Sequence, residues 1–173
     1  MSPGDRPLGE TLGRYAPAAD GAPLAEVVLV RLPVLLVRAG RDHHDDLMRE
    51  LRLLALGGEP ALRAAPAPVR RLVDVLGRRH GLAQARRDAE IDEAVDQGRL
   101  SIDQLTRTPT SAVVAVTQLR ALLDEADVLS ERSLLLTTAR SPLQRRFSDW
   151  YFDQFVDQIQ GRPPVPWDGP LHP

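Results

Sequence analysis

The stretch FSDWYFDQF, residues 147–155, holds five of the seven aromatic residues in the chain. On helical geometry these aromatic side chains, together with Leu143, Val156 and Ile159, cover an arc of roughly 240°, about twice the apolar stripe of an ordinary surface helix. A helix of this kind must bury two sides. One side packs on the domain core, and the other needs either a second layer of the same chain or a partner molecule. The sequence leaves both alternatives open.

If a partner supplies the second layer, the aromatic residues of this helix are the candidate interface. Large, rigid aromatic side chains contribute much of the binding energy at protein interfaces. The candidate interface residues are Phe147, Trp150, Tyr151, Phe152 and Phe155. The chain would then dock onto another protein or onto a second copy of itself, and a homodimer is the expected assembly.

The residues on either side of the aromatic stretch set the ends of this helix. Ser141 and Gln144 form the pattern of a capping box, with Pro142 at the first helical position, so the helix is predicted to begin there. It is predicted to end near residue 160. The sequence RPPVPW at 162–167 follows, and its prolines favour an extended conformation. We expect Trp167 to pack against the body of the protein.

Outward from the aromatic helix, the chain alternates strands with helices. We predict a strand at 25–31, followed by one long helix at 33–56 because its leucines share a face. The alternative is a strand that continues to Val37 and a helix that begins at Asp42. The remaining predicted elements are helices at 68–81 and 87–97, a strand at 100–107 and a helix at 108–130.

This order of elements predicts an α+β fold that is mostly helical, with a two-stranded sheet covered by four main helices. A lone two-stranded sheet is marginally stable and needs helices to cover it. The strand–helix–helix order occurs at 26–80 and again at 100–160, which suggests a β-α-α duplication. We expect a single domain at 24–161, a disordered N-terminal arm at 1–23 and a Pro-rich C-terminal tail at 162–173.

The composition excludes several classes of function. The chain has no cysteine, so disulfides, thiolate metal sites and a cysteine nucleophile are excluded. All 22 basic residues are arginine, which also excludes a catalytic lysine. A net charge of −2 gives no strong attraction to nucleic acid or to an anionic membrane.

The sequence predicts a cytoplasmic protein. Its longest apolar run, at 27–37, contains Arg31 and Pro33 and is too short to cross a bilayer. The N-terminus shows no signal peptide, and the absence of cysteine fits a reducing compartment. We identify no catalytic residue and no cofactor-binding motif, since the chain contains neither a G-x-S-x-G elbow nor a Gly-rich phosphate loop.

The best candidate for a metal site is the sequence RDHHDD at 41–46. Imidazoles and carboxylates together suit a divalent ion, and His43 and Asp46 have the three-residue spacing that places two ligands on one helix face. The candidate ligands are therefore His43, His44 and Asp46. In the simpler alternative, both histidines border the apolar face of the helix and carry no metal.

Three further interpretations remain open, and the first two involve these residues. In that simpler alternative, Asp45 pairs with Arg49 along the helix. A second hypothesis for function is a small metal-dependent hydrolase that uses His43, His44, Asp45 and Asp46. A third is a ligand-sensing domain with a cavity between its helices.

Two parts of the chain resemble uncharacterised actinobacterial proteins. One runs from Leu32-Pro33 through HHDDLMRE at 43–50, and the other comprises residues 147–155 and PPVPW at 163–167. Those proteins are often labelled ATP-binding or anti-sigma regulatory, and they occur with STAS-domain and phosphatase partners in partner-switching systems. The resemblance implies a regulatory, protein-binding role. It does not imply ATP binding, because this chain lacks the acidic-Asn box and the Gly-rich lid of the kinases in that group.

Overall fold

The computed structural model describes residues 23–70 and 84–172. Its elements are β1 (Leu24–Pro33), α1 (Val34–Leu56), α2 (Gly58–Ala64), α3 (Gln84–Asp96), β2 (Ser101–Pro109), α4 (Ala112–Glu131) and α5 (Pro142–Ile159). This confirms the predicted α+β fold, which is mostly helical with a two-stranded sheet. The predicted arm at 1–23, apart from residue 23, and residues 71–81 of the predicted helix at 68–81 lie outside the described residues.

The two strands pair in antiparallel orientation, with Val28 opposite Leu105. The register shifts between Leu29 and Leu32, so that two residues of β1 oppose one residue of β2. This is a β-bulge, and Arg31 in it has a left-handed backbone with φ of 57°. The Arg31 N–H donates to the Asp103 carboxylate at 2.7 Å, which helps to hold this conformation.

The first helix is continuous from Val34 to Leu56, as predicted. The alternative, a strand to Val37 and a helix from Asp42, is wrong. Pro33 ends β1 and serves as the N-cap residue of α1, and the N–H of Val34 donates to the carbonyl of Leu100 at 3.2 Å. The α2 helix, which no sequence pattern predicted, begins directly after α1 because Gly58 adopts a left-handed conformation with φ of 72° that turns the chain.

The last helix, α5, lies at the centre of the molecule. One cluster of buried side chains is built by α1, α4 and Phe152, and a second by β1, α3, Phe147 and Phe155. Tyr151 is partly buried and packs against both clusters. The predicted capping box is confirmed, since the Ser141 hydroxyl accepts from the Gln144 N–H at 3.2 Å and the Gln144 side chain accepts from the Ser141 N–H at 2.8 Å.

The segment after α5 returns to the outer edge of β1 and is fixed by Trp167, which is 1% exposed. Its ring stands edge-on to Phe147 with centroids 5.7 Å apart, and the guanidinium of Arg146 lies 5.3 Å from its centroid. The indole N–H donates to the carbonyl of Pro170 at 2.8 Å. The expectation that Trp167 packs on the body of the protein is confirmed.

Candidate interaction surface

The aromatic residues predicted as an interface are in large part enclosed by their own chain. Phe147, Phe152 and Phe155 are 6%, 8% and 5% exposed. These three side chains belong to the two core clusters. The rest of the chain therefore provides the second layer around them.

Trp150 and Tyr151 are the predicted interface residues that remain partly exposed. The indole N–H of Trp150 donates to the carbonyl of Val165 at 2.9 Å, so the C-terminal segment covers one side of this ring. Tyr151 contacts the rings of Phe147 and Phe155, with centroids 5.9 Å and 5.1 Å away. A partner can reach only the outer parts of these two side chains.

The polar track of α5 also faces its own chain. Arg120 on α4 pairs with Asp149 at 2.8 Å and with Asp153 at 2.7 Å. Partial burial of Arg120 opposes its charged form, but the hydrogen bonds and charges of Asp153 and Asp149 outweigh it and raise the pKa of the guanidinium. These ion pairs hold α4 beside α5.

The predicted metal ligands do not converge. His43 and His44 line a cavity of about 50 Å³, while Asp46 is exposed and pairs with Arg49 at 2.8 Å. The predicted pairing of Asp45 with Arg49 is wrong, because Asp46 lies closer at a spacing of three residues. In residues 23–70 and 84–172, no three side chains of the His, Cys, Asp and Glu types are grouped as a metal site.

The cavity beside His43 is small and lined mainly by apolar atoms. Its other lining residues include Leu36, Leu123 and Phe147, and a space of this volume holds only a few water molecules. Burial lowers the pKa of His43, Arg140 and His44 lower it further, and the carboxylates of Asp127 and Asp46 oppose the shift. His43 therefore tends to stay neutral in the folded protein.

A buried ion pair that no sequence pattern indicated lies next to this cavity. The carboxylate of Asp127 accepts hydrogen bonds from the backbone N–H of Arg140 at 2.8 Å and from its guanidinium at 3.0 Å. Arg145 contacts the same carboxylate at 3.1 Å. The network joins α4 to the N-terminus of α5.

The outer edge of β1 is covered at Val28 and Val30 by side-chain and backbone contacts. The side chain of Gln158 accepts from the N–H of Val28 at 2.8 Å and donates to its carbonyl at 2.9 Å. Further along the strand, the N–H of Trp167 donates to the carbonyl of Val30 at 3.0 Å. The end of α5 and the C-terminal segment therefore occupy the positions that a third strand would take beside Val28 and Val30.

The outer edge of β2 is open within the described residues. The peptide groups of Val28 point to Gln158 and therefore away from β2, so Val28 and its facing residue Leu105 form a non-hydrogen-bonded pair. In such a pair, the N–H and carbonyl of Leu105 point away from β1. The same alternation directs the peptide groups of Asp103 and Arg107 to that edge. No residue in 23–70 or 84–172 forms a hydrogen bond with these outward peptide groups.

The side chains along this edge form a short pattern with an apolar residue at its centre. Leu105 is 59% exposed and lies between Asp103 and Arg107 on the solvent face of the sheet. Arg107 pairs with Glu26 on β1 at 2.9 Å, and Asp103 accepts from the N–H of Arg31. An exposed apolar side chain beside free peptide groups is typical of an edge that binds another strand.

The sequence contained one signal for this surface. Ile102 and Gln104 alternate with Asp103 and Leu105, and the structure buries the first two at 8% and 3% exposure. Leu105 is thus an apolar residue on the polar face of its strand. The sequence could not show that this edge stays open, because that depends on where α5 and the tail pack.

Comparison of the chain with protein-family models, with curated proteins and with solved structures found no match. The resemblance to actinobacterial regulatory proteins therefore stays a prediction. Among the described residues, no helix has the length and apolar character needed to cross a membrane.

Proposed function

We propose that the protein is a non-enzymatic interaction domain of bacterial regulation, which binds an extended segment of a protein along the outer edge of β2. The observation that carries this proposal is the row of outward peptide groups at Asp103, Leu105 and Arg107, which have no hydrogen-bond partner among the described residues. An added strand would form main-chain hydrogen bonds with these groups and would cover the exposed Leu105 side chain.

The contacts on the outer edge of β1 support the proposal because they make the sheet rigid. Gln158 and Trp167 bind outer peptide groups of Val28 and Val30 and fix the sheet to α5 and the C-terminal segment. A rigid sheet edge loses little conformational entropy when a strand binds to it. The aromatic helix thus acts in our proposal mainly as the support of the docking strand.

The regulatory setting comes from the resemblance to proteins of anti-sigma and STAS partner-switching systems. We propose the cytoplasm as the compartment, because a chain without cysteine suits reducing conditions.

The exposed parts of Trp150 and Tyr151 stay a predicted second contact. If this second contact forms, Trp150→Ala lowers association with the partner more than Asp153→Ala does.

A photo-crosslinking residue at position 105 tests the proposal in living cells of the native host. The matched control carries the same residue at Leu53, which is 63% exposed against 59% for Leu105 but lies on α1 rather than on the sheet edge. We expect an adduct with a polypeptide from position 105 and none from position 53.

A second pair of variants separates strand addition from simple proximity. In the position-105 crosslinker background, Arg107→Pro removes an outward N–H without removing a hydrogen bond between β1 and β2. Arg107→Ala removes the same side chain but keeps that N–H. The adduct should be lost with proline and retained with alanine. An adduct that survives Arg107→Pro, or no adduct from position 105, would overturn the proposal.

A further inference from the structure

We infer that the segment bound by β2 is β2 of a second copy of this chain, in antiparallel orientation with Leu105 on the twofold axis. This inference rests on the proposed function and names its partner. In this arrangement Leu105 faces Leu105 of the second copy, and Asp103 faces Arg107 on each side of the axis.

The backbone of β2 suits this pairing. Asp103, Leu105 and Arg107 each present one N–H and one carbonyl at the edge, so each of the three facing pairs exchanges two hydrogen bonds. Pro109 has no N–H and ends the strand at one side. The pairing therefore uses all the outward N–H and carbonyl groups from Asp103 to Arg107.

The charges select this register over its neighbours. With Leu105 on the axis, each Asp103 carboxylate faces an Arg107 guanidinium, and the existing Arg107–Glu26 pair extends the row of alternating charges across the sheet. A register centred on Asp103 places the two carboxylates opposite each other. A register centred on Arg107 opposes the two guanidinium groups and also places Pro109 opposite Leu105.

The ends of the resulting sheet also support a second copy as the partner. The dimer has a four-stranded sheet in the order β1, β2, β2, β1, and Gln158 and Trp167 cover the outer edge of each β1 strand at Val28 and Val30. Such a pairing restricts further growth, because the outer edges of both β1 strands are already occupied at Val28 and Val30. A two-stranded sheet is marginal alone and gains stability from more strands.

Exchange of the two charges provides a register-specific test. Analytical ultracentrifugation of the purified full chain, from about 1 µM to 1 mM, should show a monomer–dimer equilibrium in the range of transient complexes. Asp103→Arg and Arg107→Asp should each weaken dimerisation about tenfold, because each homodimer then contains two like-charge pairs. An equimolar mixture of the two variants should dimerise again, since every facing pair in the heterodimer is of opposite charge.

A single introduced cysteine provides a second test. The natural chain contains none, so Leu105→Cys gives one reactive position. Facing residues in a hydrogen-bonded pair have Cα atoms about 5.5 Å apart, which lies within the range that a disulfide spans. Mild oxidation should link Leu105→Cys into a dimer at a concentration where the matched Leu53→Cys stays monomeric.

The outcomes distinguish this inference from the proposed function. A wild-type chain that stays monomeric throughout, or a mixture of charge variants that does not dimerise, overturns the second copy as partner. If position 105 then still crosslinks to a different protein in cells, and Arg107→Pro abolishes that adduct, strand addition stands with another partner. An intramolecular adduct, between position 105 and another segment of the same molecule, overturns both the second copy as partner and the proposed function.

Discussion

Asp127 shows how much of this fold depends on one charged residue. Its side chain is 4% exposed and accepts hydrogen bonds from Arg140, whose own side chain is 5% exposed, as well as an ion pair from Arg145. Removal of one partner from a buried ion pair leaves a charge without compensation. Loss of Asp127 should therefore be strongly destabilising, although nothing in the sequence distinguishes it from the other acidic residues.

We expect Asp127→Ala to lower the free energy of unfolding by about 3–5 kcal/mol, measured by urea denaturation. The matched control is Asp124→Ala. Asp124 also contacts Arg140, at 2.8 Å, but its side chain is 60% exposed. A contact of that kind contributes about 0–1 kcal/mol. Equal effects of the two substitutions would show that burial of Asp127 does not determine its contribution.

At the scale of elements, local patterns predicted two helix starts correctly, whereas the start predicted at 108 is wrong because Thr108 and Pro109 belong to β2 and the helix begins at Ala112. Ser141, Pro142 and Gln144 predicted the start of α5 correctly, because a capping box involves only neighbouring residues. Pro33 likewise marked the junction of β1 and α1. The contact of Gln158 with Val28 joins residues 130 positions apart, and no local pattern signals it.

The same limit applies to the candidate site. The sequence showed that residues 147–155 needed two buried sides but not which neighbours would cover them. Packing of Phe147, Phe152 and Phe155 in the core answers that question for these three residues. The α2 helix was missed because Gly57-Gly58 is a common helix end, and restarting a helix after such a turn depends on tertiary packing.

The contact between α5 and β1 gives a prediction at this scale. Gln158→Ala removes both hydrogen bonds to Val28 and opens the outer edge of β1. We expect a loss of about 1–3 kcal/mol in the free energy of unfolding, because partly buried peptide groups lose their partners. If β2 pairs with a second copy, this variant should also form assemblies larger than a dimer.

The matched control for this prediction is Gln160→Ala, which lies just beyond α5 and is exposed. It should leave both stability and assembly size unchanged. Urea denaturation and light scattering measure the two effects. A Gln158→Ala protein that is as stable as the natural chain and no larger in solution would show that Gln158 does not close the edge.

At the scale of the whole molecule, the folded state favours neutral His43. Burial lowers the pKa of this side chain below its value of about 6.5 in an unfolded chain. Arg140 and His44 act in the same direction, and Asp127 and Asp46 oppose them. Between the two pKa values the unfolded chain binds more protons than the folded chain, so the free energy of unfolding rises with pH in this interval.

We therefore expect the contribution of His43 to the free energy of unfolding to be complete above about pH 6.5. It should fall as the pH drops towards the pKa of the folded state, by at most about 1.4 kcal/mol per pH unit. Urea denaturation of the natural chain and of His43→Gln between about pH 5 and 7 measures the effect, and the variant should show the flatter profile. His172→Gln is the control, because this residue lies exposed in the C-terminal segment and its replacement should leave the slope unchanged. A slope that persists unchanged in His43→Gln would show that His43 does not cause the pH dependence.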